Sequence, residues 1–222
     1  MIIDIFGIER IYFNDEKNNI FVIEDTEIFS QVVSSIYKYC YGEESDLIVL
    51  SNDKIITKNQ LYLITDIINF DFQSKLIINK LNSNIYSQII SNSTLEWEIV
   101  KNINNINDIV NDILYDYNLD IEIRNDKKIE NYIKYLGLKI NNHYDDLLNK
   151  MLNIIEIISE LFPACYVIFI NQLVYFDEKQ ILEIFKYKNY KKCNILFIER
   201  FFSKIDSVNR IIIDKDYYVY QC

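Results

Sequence analysis

The sequence predicts an α/β fold interrupted by a purely helical stretch, and three observations carry that prediction. Short apolar runs rich in β-branched and aromatic residues occur as LIVL at 47–50, LYLI at 61–64, YVIFI at 166–170 and ILFI at 195–198; they have the character of strands covered on both faces. Segments with helical periodicity separate several of them, the alternation expected of α/β proteins. Between about Phe72 and Leu136 no strand-like run occurs, and apolar residues recur at helical spacing. The economical organisation is an α/β head built from residues 1–70 and 141–222, with a helical arm at 71–140 inserted between its two parts.

Taken in order, Ile11 to Phe13 and Phe21 to Ile23 flank the polar NDEKNN at 14–19 and predict a β-hairpin. A helix follows from Glu27 to about Tyr39, with Val32, Val33 and Ile36 on its apolar face and Gly42 placed to cap its end in the left-handed region. In the arm, Ile99, Ile103, Ile106, Val110, Ile113 and Tyr117 form a narrow heptad-like seam that packs either internally or against another subunit. A short helix from Lys127 to Tyr135 presents Ile129, Tyr132, Ile133 and Leu136 and stops at Gly137. Another, from Tyr144 to Phe162, carries Leu147, Leu148, Met151, Ile154, Ile155, Ile158 and Leu161 on a broad face and ends at Pro163.

Composition narrows the function. Half of the 222 residues are hydrophobic, enough for a substantial core, and the formal charge is −10. Such a field repels nucleic acid and anionic membrane unless a basic patch or a bound cation intervenes. The four cysteines, Cys40, Cys165, Cys193 and Cys222, have no C-x-x-C spacing, which argues against a thiolate zinc site and suits a reducing cytosol. No apolar run reaches the roughly 20 residues of a membrane span, and the start lacks the features of a signal peptide, so a cytoplasmic protein is expected. The three glycines, Gly7, Gly42 and Gly137, lie far apart, which excludes both G-x-G-x-x-G and G-x-x-x-x-G-K-[ST].

The stretch FVIEDTEIFSQVV at 21–33 reads as a buried strand turning into an amphipathic helix, the place where many α/β proteins hold a phosphate. Glu24, Asp25 and Glu27 would repel one. Asp25 or Thr26 is expected to cap the helix instead, with a divalent metal on the three acids as the alternative. The second acidic stretch is DYNLDIEIRND at 116–126. Hard cations such as calcium take six to eight oxygens, and Asp120, Glu122 and Asp126, then Asp116, are the candidate ligands; on spacing alone a solvated acidic loop is the stronger reading. The glycine and final bidentate Glu of an EF-hand are missing. Asp71 with Lys75 and Glu183 with Lys186 place acid near lysine, but neither supplies the acid and E-x-K triplet of a nuclease strand. The sole histidine, His143, has no nucleophile or second histidine to serve, so no catalytic residue is assigned. Basic residues gather at Lys186, Lys188, Lys191 and Lys192 and again at Lys54 and Lys58. Phosphate contacts need such lysines, though a solvated helix end explains either group alone.

With these residues laid out, the chain resembles the short form of the Csn-two family of type II-A CRISPR adaptation. The resemblance lies in FVIEDTEIFSQVV, in LYLITDIINFDFQS from Leu61, LDIEI from Leu119, IKYLGLKI from Ile133, ILFIER from Ile195 and the closing IIIDKDYYVY, in the family's order and over nearly the whole chain. It implies a head like a degenerate P-loop ATPase, a helical leg, and a homotetrameric ring whose hole takes linear double-stranded DNA. It further implies bound Ca2+, no nucleotide, no hydrolysis, and work beside the spacer integrase and the RNA-guided effector nuclease in antiviral defence. Asp120 and Glu122 stand on the family's calcium-binding stretch, from which this chain departs at Asn118 and Arg124 and in a one-residue insertion near Asp126. Lys54, Lys58, Lys127 and Lys128 are placed on the DNA from local charge. Two alternatives stand beside this expectation: a metal-dependent nuclease or nucleotidase using Glu24, Asp25 and Glu27, and a protein-interaction subunit without DNA contact.

Overall fold

The computed structural model describes residues 1–5, 8, 10–13, 18–51, 54–121, 128–141, 143–202 and 205–221. The chain separates into two compact units, one of residues 1–70 and 143–222 and the other of residues 71–142. The first unit opens with β1 (Ile2–Ile5), β2 (Ile11–Tyr12), β3 (Asn19–Ile23), α1 (Thr26–Tyr41), β4 (Leu47–Ser51), β5 (Lys54–Ile55) and β6 (Leu61–Ile64). The second holds α2 (Lys75–Ile90), α3 (Ser93–Leu114) and α4 (Ile129–Tyr135). The first resumes with α5 (Leu147–Leu161), β7 (Tyr166–Ile170), α6 (Glu178–Tyr190), β8 (Asn194–Glu199), β9 (Asn209–Ile213) and β10 (Val219–Gln221).

Mixed α/β architecture follows from two sheets. A six-stranded sheet has the order β10-β9-β3-β8-β7-β6, and a four-stranded sheet the order β2-β1-β4-β5. In the larger, β9, β3, β8, β7 and β6 run parallel and β10 closes one edge antiparallel; the smaller is antiparallel throughout. The continuous apolar runs have a direct cause. Phe21, Ile23, Ile168, Ile170, Leu196, Ile198, Ile211 and Ile213 pack with Ile28, Val32 and Ile36 of α1 and with Ile3, Leu47 and Val49 of the smaller sheet. Phe169 and Phe197 stack at 5.2 Å between ring centres, and Phe185 of α6 meets Phe197 edge-on at 5.4 Å. With both faces covered, these strands cannot alternate apolar with polar.

The expected hairpin does not form. Residues 11–12 and 19–23 are both extended, but β2 pairs with β1 in the smaller sheet while β3 lies between β8 and β9 in the larger. All five residues of β3 are buried, whereas Tyr12 of β2 is exposed. A fully buried strand needs partners along both edges, which a two-residue edge strand cannot provide.

Helix ends follow local capping chemistry. Gly42 adopts φ 74° after α1 and Gly137 φ 61° just past α4. The expected start of the later helix at Tyr144 moves to Leu147, because Asp146 is the cap and accepts the Asn149 N–H at 2.8 Å. In the second unit Ile89, Ile129 and Ile133 form a small core with Ile85, Tyr86, Ile99, Val100 and Leu138. The long seam is covered only at its start: Ile99 and Ile103 are half-buried, Ile106, Val110 and Ile113 are exposed, and Tyr117 falls beyond the helix. No helix among the described residues is long and apolar enough to cross a membrane.

Candidate functional site

The turn from β3 into α1 stands at the carboxyl end of the parallel sheet, next to β8. Ligands of open α/β sheets bind in that position. Here the chain's own groups occupy it. Asp25 caps α1, its Oδ1 accepting the N–H groups of Glu27 at 2.8 Å and Ile28 at 3.0 Å. From the end of β8, the Arg200 guanidinium donates to the Thr26 hydroxyl at 2.6 Å and the Glu24 carbonyl at 3.3 Å. Asn171, in the left-handed region at φ 52°, accepts the Arg200 backbone N–H at 3.0 Å. A carboxylate on the helix amides and a guanidinium on the Thr26 hydroxyl and the Glu24 carbonyl thereby occupy the turn. Of the three acids considered for metal chemistry, Asp25 is committed to the cap, and Glu24 and Glu27 point to solvent.

Sequence reasoning missed Arg200. Its partner Thr26 lies 174 residues away, and the only local signal is a charged pair, Glu199 and Arg200, closing the apolar run ILFI.

The second acidic stretch is described in part. Asp116 and Asp120 are exposed just beyond the end of α3, while Glu122 and Asp126 lie outside the described residues. No group of three or more His, Cys, Asp or Glu able to hold a metal occurs among the described residues. In kind, the two carboxylates fit a hard cation, being accessible oxygens, with Asp116 just past the negative end of the α3 dipole.

The candidate lysines are scattered. Lys54 is exposed on the edge strand β5, Lys58 is exposed before β6, Lys128 is exposed at the start of α4, and Lys127 lies outside the described residues. Lys58 has a structural partner as well: a methyl group on Gly42 would sit 2.4 Å from its Nζ, so the ammonium rests at the carboxyl end of α1. Half of the positive stretch at 186–192 is spent inside the fold, while Lys186 and Lys192 are exposed. Lys188 is buried, and Lys191 pairs with Glu156 of α5 at 2.6 Å. Burial pushes the Cys40 and Cys193 thiols up to about 11, so neither is a nucleophile at neutral pH.

Comparisons with known proteins agree with one another. The chain is 25% identical over 200 residues to the CRISPR-associated protein Csn2 of Streptococcus agalactiae, covering 90% of this chain and 89% of that one. It is 23% identical over 204 residues to the CRISPR-associated protein Csn2 of Enterococcus faecalis, covering 92% and 91%. A family model, CRISPR-associated protein (Cas_Csn2), matches residues 40–217, a span from the end of α1 to the approach to β10. That span exceeds half of the chain and contains the whole second unit, so the chain belongs to the Csn2 family of CRISPR-associated proteins.

Proposed function

We propose that the protein is a non-enzymatic, calcium-dependent ring that encircles linear double-stranded DNA in the cytoplasm and supports spacer acquisition beside the spacer integrase and the RNA-guided effector nuclease. Its first unit is a head related to degenerate P-loop ATPases, its second a helical leg, and four copies close the ring. The observation that carries this reading is the family match over residues 40–217 taken with the strand-to-helix turn. Asp25 and Arg200 engage the strand-to-helix turn with groups of the chain itself, at the end of the sheet where open α/β folds bind ligands, which supports holding DNA over hydrolysing nucleotide.

Encirclement resolves the charge problem. A chain of charge −10 needs only weak, dispersed phosphate contacts when a closed ring keeps every lysine at high effective concentration. Lys54, Lys58, Lys127 and Lys128 are the proposed contacts. Calcium on Asp116, Asp120, Glu122 and Asp126 offsets part of the acidic field. The uncovered stripe of α3 supports self-association through the leg.

Gel-shift titration of linear duplex against a covalently closed circle, with calcium and with chelator, tests the reading. Linear DNA is expected to bind tightly with calcium and weakly without it, and the circle to bind weakly throughout. Equal affinity for both topologies would sink the clamp.

A further inference from the structure

A second set of buried polar contacts lies at the same end of the parallel sheet. Glu199, the last residue of β8, is 2% exposed, and its Oε1 accepts the backbone N–H groups of Gln172 and Leu173, each at 3.0 Å. Gln172 is 3% exposed and carries the connection onward. Its Nε2 donates to the carbonyls of Thr65 at 2.8 Å and Ile170 at 2.6 Å, and its Oε1 accepts the Ile67 N–H at 2.9 Å. One carboxyl and one carboxamide thereby tie the ends of β8, β7 and β6 together. The residues so held, 65–67, belong to the stretch by which the first unit leads toward residue 71, where the second begins.

Most charged groups on the surrounding elements are engaged elsewhere, and the Arg200 Nε is buried without a hydrogen-bond partner. The Arg200 guanidinium serves Thr26 and the Glu24 carbonyl, and Asp25 caps α1. Asp66 accepts from Asn69, Lys150 of α5 donates to the Ile68 carbonyl, and Asp177 caps α6, where Glu178 is exposed. Among the described residues none forms an ion pair with Glu199. Burial pushes its carboxyl up to about 7, and the two amide donors offset only part of that rise.

We propose that Glu199 and Gln172 form a proton-sensitive clasp that holds residues 65–67 at the end of the sheet, tightest while the Glu199 carboxyl is neutral and looser once it ionises. An opened clasp lets water reach the carboxyl, so the open form ionises first and gains on the closed form as pH rises. The window runs from the ordinary glutamate value of 4.5 to about 7, above which both forms are ionised and the balance levels off. The geometry lies wholly within the first unit and is independent of DNA or calcium.

Hydrogen exchange on the full-length chain, corrected for intrinsic chemical rates, reads the clasp at the Ile67, Gln172 and Leu173 amides between about pH 5 and about pH 8. Protection of these amides is expected to fall up to about tenfold per pH unit below neutrality and then level. Glu199→Gln, whose side-chain oxygen still accepts both N–H groups, is expected to give a flat profile. A flat profile in the wild type, or the same fall in the variant, would overturn the proposal. Infrared difference spectra of the wild type provide a readout that needs no variant: a neutral-carboxyl band is expected to disappear as pH passes through about 7, and its absence on the acid side would equally overturn the clasp.

Discussion

The Arg200 guanidinium and the Thr26 hydroxyl meet at 2.6 Å across the turn from β3 into α1. A cation from the neighbouring parallel strand therefore stands where α/β nucleotide proteins place a phosphate, and it joins the end of β8 to the start of α1 with a charge-assisted hydrogen bond. Arg200→Ala is expected to lower unfolding stability by about 1 kcal/mol, read as a reduced urea midpoint at unchanged slope. Arg200→Lys keeps the charge without the planar fork and should fall between the two. Added ATP should leave the midpoint unchanged in all three proteins.

Asp25 supplies the other half of that arrangement. Because its Oδ1 takes two first-turn amides, Asp25→Ala should cost about 1 kcal/mol, and Asp25→Ser should restore most of it. The same pair of variants separates a cap from a catalytic acid. Any cleavage of DNA with manganese that disappeared in Asp25→Ser while the fold survived would favour the nuclease alternative.

Much of this architecture is legible in the sequence because it rests on short-range rules. Doubly covered strands show as unbroken apolar runs, Gly42 marks a left-handed cap, and acids at the start of α1 signal their own use. What could not be read is pairing. Residues 11–13 and 21–23 look like hairpin partners, but a strand as buried as β3 takes its neighbours from β8 and β9, more than 170 residues away. The site was illegible for the same reason, since Arg200, Asn171 and Glu199 become informative only once parallel pairing brings their strand ends together. The seam of α3 is helical from Ile99 to Ile113, with Tyr117 past the helix end; its covering depends on partners that periodicity does not name.

Gly42 and Gly137 offer a controlled comparison of backbone strain. Both have positive φ, but a methyl group at Gly42 would meet Lys58 while one at Gly137 would find open space. Gly137→Ala should therefore cost only the left-handed penalty of about 1 kcal/mol. Gly42→Ala should cost somewhat more, because the Lys58 side chain must also move off the end of α1. Asparagine at either position should be tolerated better than alanine, and thermal melts of the four variants check the order.

Glu156 ties α5 to α6, accepting from Lys191 Nζ at 2.7 Å and from the Tyr187 hydroxyl. Burial alone would raise its carboxyl, but the Lys191 ammonium and the Tyr187 hydroxyl outweigh it and hold the group below the ordinary value of 4.5. A depressed carboxyl contributes stability above its unfolded value, and that contribution disappears as pH falls through the folded value. Burial, with help from Glu156, pushes Tyr187 up to about 12, so its contribution is present below 10 and is lost as pH rises through about 12. Glu156→Gln should flatten the acid limb of a melting-temperature profile against pH and only reduce the alkaline one, because the burial of Tyr187 remains. A profile unchanged at the acid end would show that the pair is too solvent-screened to matter.

The exposed stripe of α3 is where the proposed ring can be tested through the helical unit. Ile106, Ile109, Val110 and Ile113 are all more than 40% exposed, and the helix buries none of its residues fully within its own chain. Isoleucines repeated at this spacing on one side of a long helix gain nothing in water and bury about 1.5 to 3 kcal/mol each when covered. Ile106→Lys with Ile113→Lys should leave the far-ultraviolet spectrum and melting of the monomer nearly unchanged, since neither side chain reaches the small core around Ile89, Ile129 and Ile133. If the stripe is an assembly surface, sedimentation should show the mass falling to a smaller species, and affinity for linear duplex should fall with it as encirclement is lost. An unchanged mass would remove α3 from the interface, and an unchanged affinity at reduced mass would mean that DNA is held without a closed ring.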